Sequence, residues 1–182
     1  MKANQIYYEP TVFTLLNNGN TIQANATTES NRIVVEGHVY TLNQFHFHTP
    51  SEHQFNGQNH DMELHFVHSD NNGKLAVFGV MIQKGKENKI LASVWDELSE
   101  GETDEIHSEN YLIHLQALLP QNKRSFHYNG SLTTPPCTEN VKWIVFEQPI
   151  EMSKEQVQAF QQIFSDNHRP VQPLNNREII KN

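Results

Sequence analysis

The sequence predicts a mainly β protein of the α+β roll kind, with a large central, mostly antiparallel twisted sheet and a few peripheral helices. Three observations predict it. Short runs that alternate with period two, or that are rich in β-branched and aromatic residues, recur along the chain. Only two segments carry helical spacing. Strands and helices do not alternate regularly, which argues against a parallel βαβ sheet. The 182 residues read as one domain, 1–182, because no repeat, low-complexity tract or long linker divides them. A chain of this length buries enough core to fold without disulfides.

Taken in order, Val12 to Leu16, Thr21 to Ala24 and Arg32 to Val35 are short strand runs beside Asn, Gly or Glu. Thr41 to Thr49 alternates, placing Leu42, Gln44, His46 and His48 on one face and Asn43, Phe45 and Phe47 on the other. Glu63 to Val67 alternates as well, so Glu63, His65 and Val67 share a face while His68 points away or begins a turn. Lys74 to Gln83 is almost continuously apolar, as in a strand buried on both faces, and follows the turn signal Asp70-Asn71-Asn72-Gly73. Val141 to Glu147 is a further strand. One helix is expected after Asn88, with Ile90, Leu91, Val94, Trp95 and Leu98 on one face and Gly101 ending it. A second follows the capping box of Ser153 and Gln156, with Val157, Phe160 and Phe164 at helical spacing.

Net charge is −8, which disfavours nucleic acid and anionic membrane surfaces as partners and leaves a small uncharged substrate unaffected. No apolar run approaches the ~20 residues of a membrane span. Met1 to Gln5 carries no hydrophobic signal core, which fits a cytoplasmic protein or the mature form of an exported one. The single cysteine, Cys137, can make no internal disulfide and leans the same way as a cytoplasmic protein. Histidine is the unusual count, with 11 residues, several of them between 46 and 68.

Gln44-Phe45-His46-Phe47-His48 puts two imidazoles on one side of a strand, near enough to chelate one ion. Glu63-Leu64-His65 supplies a third. Three neutral imidazoles suit zinc and leave a fourth position for water, the open geometry of a catalytic site. A ligating histidine usually donates its other ring N–H to a carboxylate or amide. Gln44 lies two residues before His46 and Glu63 two before His65, each on its ligand's face. Against this stands the plain reading, in which the histidines are packing residues. A second cluster, Gly130 to Cys137, combines paired prolines with threonine hydroxyls; read alone it is a rigid turn.

Together these segments resemble alpha-class carbonic anhydrases. The matching pieces are Asn17-Asn18-Gly19, QFHFHTPSEH at 44–53, MELHFVH at 62–68, LAVFGV at 75–80, YNGSLTTPPCTE at 128–139, VKWIVF at 141–146 and RPVQPLNNR at 169–177, in family order. The short link from His48 to Ser51 is similar to bacterial members. The resemblance implies His46, His48 and His65 as ligands of Zn2+, and reversible hydration of carbon dioxide to bicarbonate. It implies that Thr133 accepts a hydrogen bond from the zinc-bound hydroxide and donates its own to Glu52, and that Thr134 positions bicarbonate. Gln44 and Glu63 become the ligands' supports. Val67, Val77, Leu132, Val141 and Trp143 become the apolar wall that receives carbon dioxide.

Two departures follow from the same resemblance. The family usually has histidine after Asn-Asn-Gly to relay the proton, and this chain has Asn20. An amide cannot titrate, so proton release is expected to be slow. The chain also starts after the family's Trp- and Tyr-bearing leading segment with its Gln-Ser-Pro-Ile motif. Cys137 stands where bacterial relatives often have half of a disulfide, so its lean toward the cytoplasm loses force, and a periplasmic or secreted location is expected by resemblance. Lower stability or self-association, with a homodimer as in bacterial relatives, is expected of the shortened chain. The competing expectation is a non-catalytic relative acting as a binding module.

Overall fold

The computed structural model describes residues 5–182; Met1–Asn4, part of the stretch read above as lacking a signal core, lie outside the described residues. The strands are β1 (Gln5–Tyr7), β2 (Thr11–Asn17), β3 (Ile22–Ala26), β4 (Arg32–Val35), β5 (His38–His48), β6 (Gln54–Phe55), β7 (Gln58–Asn59), β8 (Met62–Ser69), β9 (Leu75–Lys84), β10 (Leu112–Ile113), β11 (Ser125–Ser131), β12 (Glu139–Phe146), β13 (Ile150–Met152) and β14 (Ile180–Lys181). All but the β6–β7 hairpin belong to one sheet, ordered β10-β2-β3-β5-β8-β9-β12-β11-β14, with β1 and β4 beside β5 and β13 on β9. Pairing is antiparallel except for β12 and β13 on β9.

The sheet has two differently furnished faces. Phe13, Phe45, Phe47, Leu64, Phe66, Phe78 and Phe146 point to the main core, with Phe45 in edge contact with Phe13 and tilted against Phe66. The opposite face carries His46 and His65, paired directly across β5 and β8, and a smaller apolar cluster of Val77, Met81, Val141, Trp143 and Val145. β9 is apolar from Leu75 to Ile82 because both of its faces are covered there.

One parity expectation is corrected. Leu42 does not share the face of Gln44, His46 and His48. It pairs with His68 and Gln44 pairs with Val67, so Asn43 is an extra residue that bulges out of β5. A bulge shifts side-chain parity by one. Leu42 therefore joins Phe45 and Phe47 in the main core, and the histidine pair keeps its own face.

The second helix forms as the capping box predicts. α2 spans Lys154–Ile163, Ser153 Oγ accepts from the Gln156 N–H, and the Gln156 side chain returns to the Ser153 N–H. Val157 and Phe160 are buried, and Phe160 meets Phe47 and Trp95. The expected helix from Asn88 to Gly101 shrinks to one turn, α1 (Ala92–Trp95). Asn88 Oδ1 does accept from the Leu91 N–H at 3.3 Å. Its backbone N–H and carbonyl, however, bond the Gln156 side chain at 2.8 and 2.9 Å. Tertiary hydrogen bonds thus replace the first helical ones, while the apolar side chains still reach the core.

His68 is buried on the core side. Its Nδ1 faces the Ala76 carbonyl at 2.9 Å and its Nε2 the Tyr8 hydroxyl at 2.6 Å. Nδ1–H donates to the carbonyl and Nε2 accepts from Tyr8, which satisfies a neutral ring. Burial pushes its pKa down to about 4. The unfolded ring protonates near 6.5, so protons favour the unfolded chain between those values, and stability is lost as pH falls through that window. The expected loss is about 3 kcal/mol between pH 6.5 and 4. His68→Gln should flatten that part of the pH–stability curve, measured by urea unfolding. An unchanged difference between pH 7 and 4.5 would refute the assignment.

Candidate metal centre

Cross-strand register assembles the centre. Gln23, His46, His65, Gly79 and Val145 lie side by side across β3, β5, β8, β9 and β12. His48 stands two residues along β5 from His46, on the same face. The three rings meet edge to face or tilted, with centroids 5.0 Å apart for His46–His48, 5.4 Å for His46–His65 and 4.7 Å for His48–His65. One nitrogen from each lies within 4.8 Å of the others.

The outward nitrogens are each tied down. His46 Nδ1 meets Gln44 Oε1 at 2.8 Å, His48 Nδ1 meets the Asn167 carbonyl at 2.8 Å, and His65 Nε2 meets Glu63 Oε2 at 2.5 Å. These partners accept, so the tied nitrogens carry the hydrogens and His46 Nε2, His48 Nε2 and His65 Nδ1 present lone pairs inward. Two of those lone pairs, on His46 Nε2 and His48 Nε2, face each other at 3.1 Å. Glu52 Oε1 adds a further acceptor, 3.3 Å from His48 Nε2 and 3.8 Å from His65 Nδ1, and is buried with no hydrogen-bond partner. A buried convergence of acceptors without donors is unfavourable unless a cation sits among them. Nitrogen donors in this number, with a vacant corner, fit zinc.

The electrostatics agree. Burial, then the neighbouring imidazoles, hold the His46 pKa well below its ordinary value, and burial followed by His65 lowers that of His48. Both rings are thereby kept neutral, as metal ligation requires. Burial alone would raise Glu63, but His53 and His65 beside it hold it well below the usual carboxylate range. Glu63 accepts four hydrogen bonds: from the backbone N–H groups of Glu52 and His53 at 3.0 and 2.9 Å, from His53 Nδ1 at 2.7 Å, and from His65. His53, Glu63 and His65 also form a compact titratable group. With both carboxylate oxygens already engaged, we read it as a hydrogen-bond network rather than a second metal site.

Glu52 and Thr133 line one cavity of about 760 Å3 together with His53, Tyr128 and Arg169. Glu52 Oε2 accepts from the Arg169 N–H at 2.6 Å. Among the described residues no hydrogen bond joins Thr133 to Glu52. Thr133 is half-buried and Thr134 exposed, in a turn closed by the Cys137 N–H on the Thr134 carbonyl at 2.8 Å. Val77, Val141 and Trp143 are buried in the smaller apolar cluster, with Val67 and Leu132 packed on it. The Trp143 ring lies 4.8 Å from that of His65, so this apolar wall begins at the ligands. Asn20 is exposed, and its carbonyl accepts from the Asn167 side chain at 2.8 Å.

Sequence reasoning missed four participants. Asn167 and Arg169 reach the site from the segment after α2, more than a hundred residues from their partners. His53 bridges Glu63 and the Tyr128 hydroxyl, the latter at 2.5 Å. Gly79 underlies Glu63, where a Cβ would come within 2.9 Å of Oε2. The one available signal was Gly79 itself, a glycine inside an otherwise apolar strand, which marks a close approach.

Comparison with known proteins places these features in context. The pattern of the family described as eukaryotic-type carbonic anhydrase matches residues 1–182. A carbonic anhydrase of Nostoc sp. is 44% identical over 174 residues, covering 96% of this chain and 66% of the relative. One from Neisseria gonorrhoeae is 40% identical, covering 100% of this chain and 71% of the relative. The alpha-carbonic anhydrase of Thermovibrio ammonificans, solved with the inhibitor sulfanilamide, superposes with a TM-score of 0.93 at 44% identity, over 98% of this chain and 79% of that one. The chain thus spans about two thirds to four fifths of the length of these proteins.

Proposed function

Because the chain belongs to the eukaryotic-type (alpha-class) carbonic anhydrase family, we propose that it catalyses the zinc-dependent, reversible hydration of carbon dioxide to bicarbonate and a proton. The observation that carries this is the inward convergence of His46 Nε2, His48 Nε2 and His65 Nδ1, each ring fixed from behind by an acceptor. Bound zinc would lower the pKa of its water to about 7 and supply hydroxide at neutral pH, a magnitude known for carbonic anhydrases as a class rather than measured on this chain.

The protein's own residues supply the rest. Arg169 anchors one oxygen of Glu52 and leaves Oε1 directed at the site. Thr133 donates its hydroxyl hydrogen to that oxygen in the working site, so its lone pair turns to the vacant corner. Only an oxygen that still carries a proton can then bond to it, which orients the attacking species and rejects anions without a proton. Thr134 positions the bicarbonate. Val67, Val77, Leu132, Val141 and Trp143 receive the uncharged substrate without holding it tightly, which leaves its carbon free to react.

The test is metal content measured beside stopped-flow hydration. One zinc per chain, hydration above the buffer blank and inhibition by an aromatic sulfonamide are expected. Zinc without hydration would favour the non-catalytic binding module instead, and absence of zinc would sink the enzymatic reading.

Proton release is proposed to limit turnover, since Asn20 cannot hold a proton. Asn20→His should raise kcat in dilute buffer by about tenfold or more, and imidazole buffers should do the same for the unmodified protein. A kcat indifferent to both would show that proton release is not the slow step.

A further inference from the structure

The cavity of about 760 Å3 reaches Glu52 and Thr133, yet its lining includes none of the three ligand histidines. It also omits Val67, Val77, Leu132, Val141 and Trp143. It is therefore a groove distinct from the corner where substrate would meet the metal. One side of it is the end of β11. β14 covers β11 only at Phe126 and His127, while residues 128–131 line the groove. Ser125 exchanges both backbone hydrogen bonds with Asn182, at 3.4 and 2.8 Å. Backbone groups of an antiparallel strand face the same neighbour at every second residue. Asn129 thus turns its N–H and carbonyl to that edge, past the last residue paired with β14. The carbonyl is met there by Arg177 Nη1 at 3.2 Å rather than by a strand.

The other side is the segment that leaves α2 and returns as β14. Its Val171, Leu174 and Ile179 line the groove and are 55%, 48% and 46% exposed. Large apolar side chains gathered on one exposed rim mark an interaction site. Two guanidinium groups stand among them. Arg169 gives Nη1 to the Ser131 hydroxyl at 3.2 Å. Arg177 directs its donors to the carbonyls of Leu174, Pro173 and Asn129. All of those partners are uncharged. Glu52 and Glu139 also line the groove, but among the described residues neither forms an ion pair with either cation.

We propose that this groove docks an extended peptide segment of a partner protein, laid along residues 128–131 as an added strand. Its apolar side chains meet Val171, Leu174 and Ile179, and a carboxylate on it pairs with Arg169. An added strand suits an edge that presents backbone donors and acceptors, and its side chains reach one rim at every second position. The Asn129 carbonyl keeps a second lone pair for it beside Arg177. A carboxylate is the planar acceptor that a guanidinium matches with two parallel bonds. A small amphiphile would use the rim and the charge but leave the strand edge unused. An anionic lipid surface would be repelled by a chain of net charge −8.

The probe is a set of hexapeptides with blocked ends that alternate valine and threonine, one threonine in each replaced by glutamate. Calorimetric titration of the full chain should give a Kd below about 1 mM for at least one of them. Amide NMR shifts should fall on residues 128–131 and 171–180. Leu174→Glu, an exposed position away from the metal centre, should weaken that binding by about tenfold or more. Lysine in place of the peptide's glutamate should weaken it similarly, and Arg169→Gln should erase the preference for glutamate over glutamine. Methylating the peptide nitrogens that face the edge should abolish binding. No binding by any of the set overturns the proposal, as does binding that ignores Leu174→Glu or the methylation. If the free chain sediments as a dimer that Leu174→Glu dissociates and the peptides do not, the occupant is a second copy and the proposal falls. Zinc-free and zinc-loaded protein should both bind, so the result stands apart from the hydration reading.

Discussion

Replacing His48 with alanine is expected to abolish both zinc retention and hydration. His48 supplies one of three inward lone pairs, and its Nε2 lies 3.1 Å from that of His46. Without it two imidazoles remain, too few to hold zinc with an open corner. Even partners that only support a ligand change metal affinity or activity by about 10- to 100-fold when removed. Loss of a ligand itself should exceed that, so the dialysed variant should hold less than about a tenth of a zinc per chain and hydration should fall by more than about a hundredfold. The sheet should survive, because His48 lies on the face opposite the main core. Zinc should raise the melting temperature of the unmodified protein and leave that of His48→Ala unmoved, since only a ligand that binds the folded form stabilises it. A variant that keeps stoichiometric zinc and its rate would overturn the ligand assignment.

Glu63→Gln should be nearly as damaging by a different route. Glu63 accepts four hydrogen bonds and lies wholly inside the protein. Glutamine matches its shape but offers one acceptor oxygen and one NH2, so two of the four donors meet a donor instead. If the NH2 turns to the rings, His65 must move its hydrogen to Nδ1, the atom meant for the metal. Zinc affinity should fall by about 10- to 100-fold. Breaking this buried charge network should also cost about 3 kcal/mol of stability, roughly 6–12 °C in Tm for a chain of this size. The pH dependence has a definite sign. The Glu63 pKa is depressed in the fold, so its contribution exists above the unfolded carboxylate value and is lost as pH falls through the folded one. Glu63→Gln should therefore be less stable than the unmodified protein at pH 7 and approach it in strong acid. Equal melting temperatures and equal zinc affinities at pH 7 would remove Glu63 from the centre.

What could be read from the chain alone was local. Period-two alternation puts His46 and His48 on one side of a strand, and it puts Gln44 and Glu63 two residues before their rings, because side chains on a strand repeat every second residue whatever surrounds them. The capping box of α2 is equally local and forms as expected. The same rule, carried unbroken through the strand, misplaced Leu42, because the core-facing positions Tyr40 and Leu42, then Phe45 and Phe47, slip by one at Asn43-Gln44, where β5 bulges against β8. The segment after Asn88 has a full helical stripe, yet it is cut to one turn where Gln156 claims its backbone groups.

Tertiary structure alone decided how His48 and Glu52 are held. His48 takes its support from a carbonyl on the segment after α2, and a carbonyl has no residue type by which a sequence could announce it. Glu52 is fixed by another backbone group, the Arg169 N–H, and Asn20 is tied to the same segment through the Asn167 side chain. Residue chemistry and short-range periodicity chose the ligands. A long-range backbone hydrogen bond, which any side chain could accompany, chose the orientation of His48.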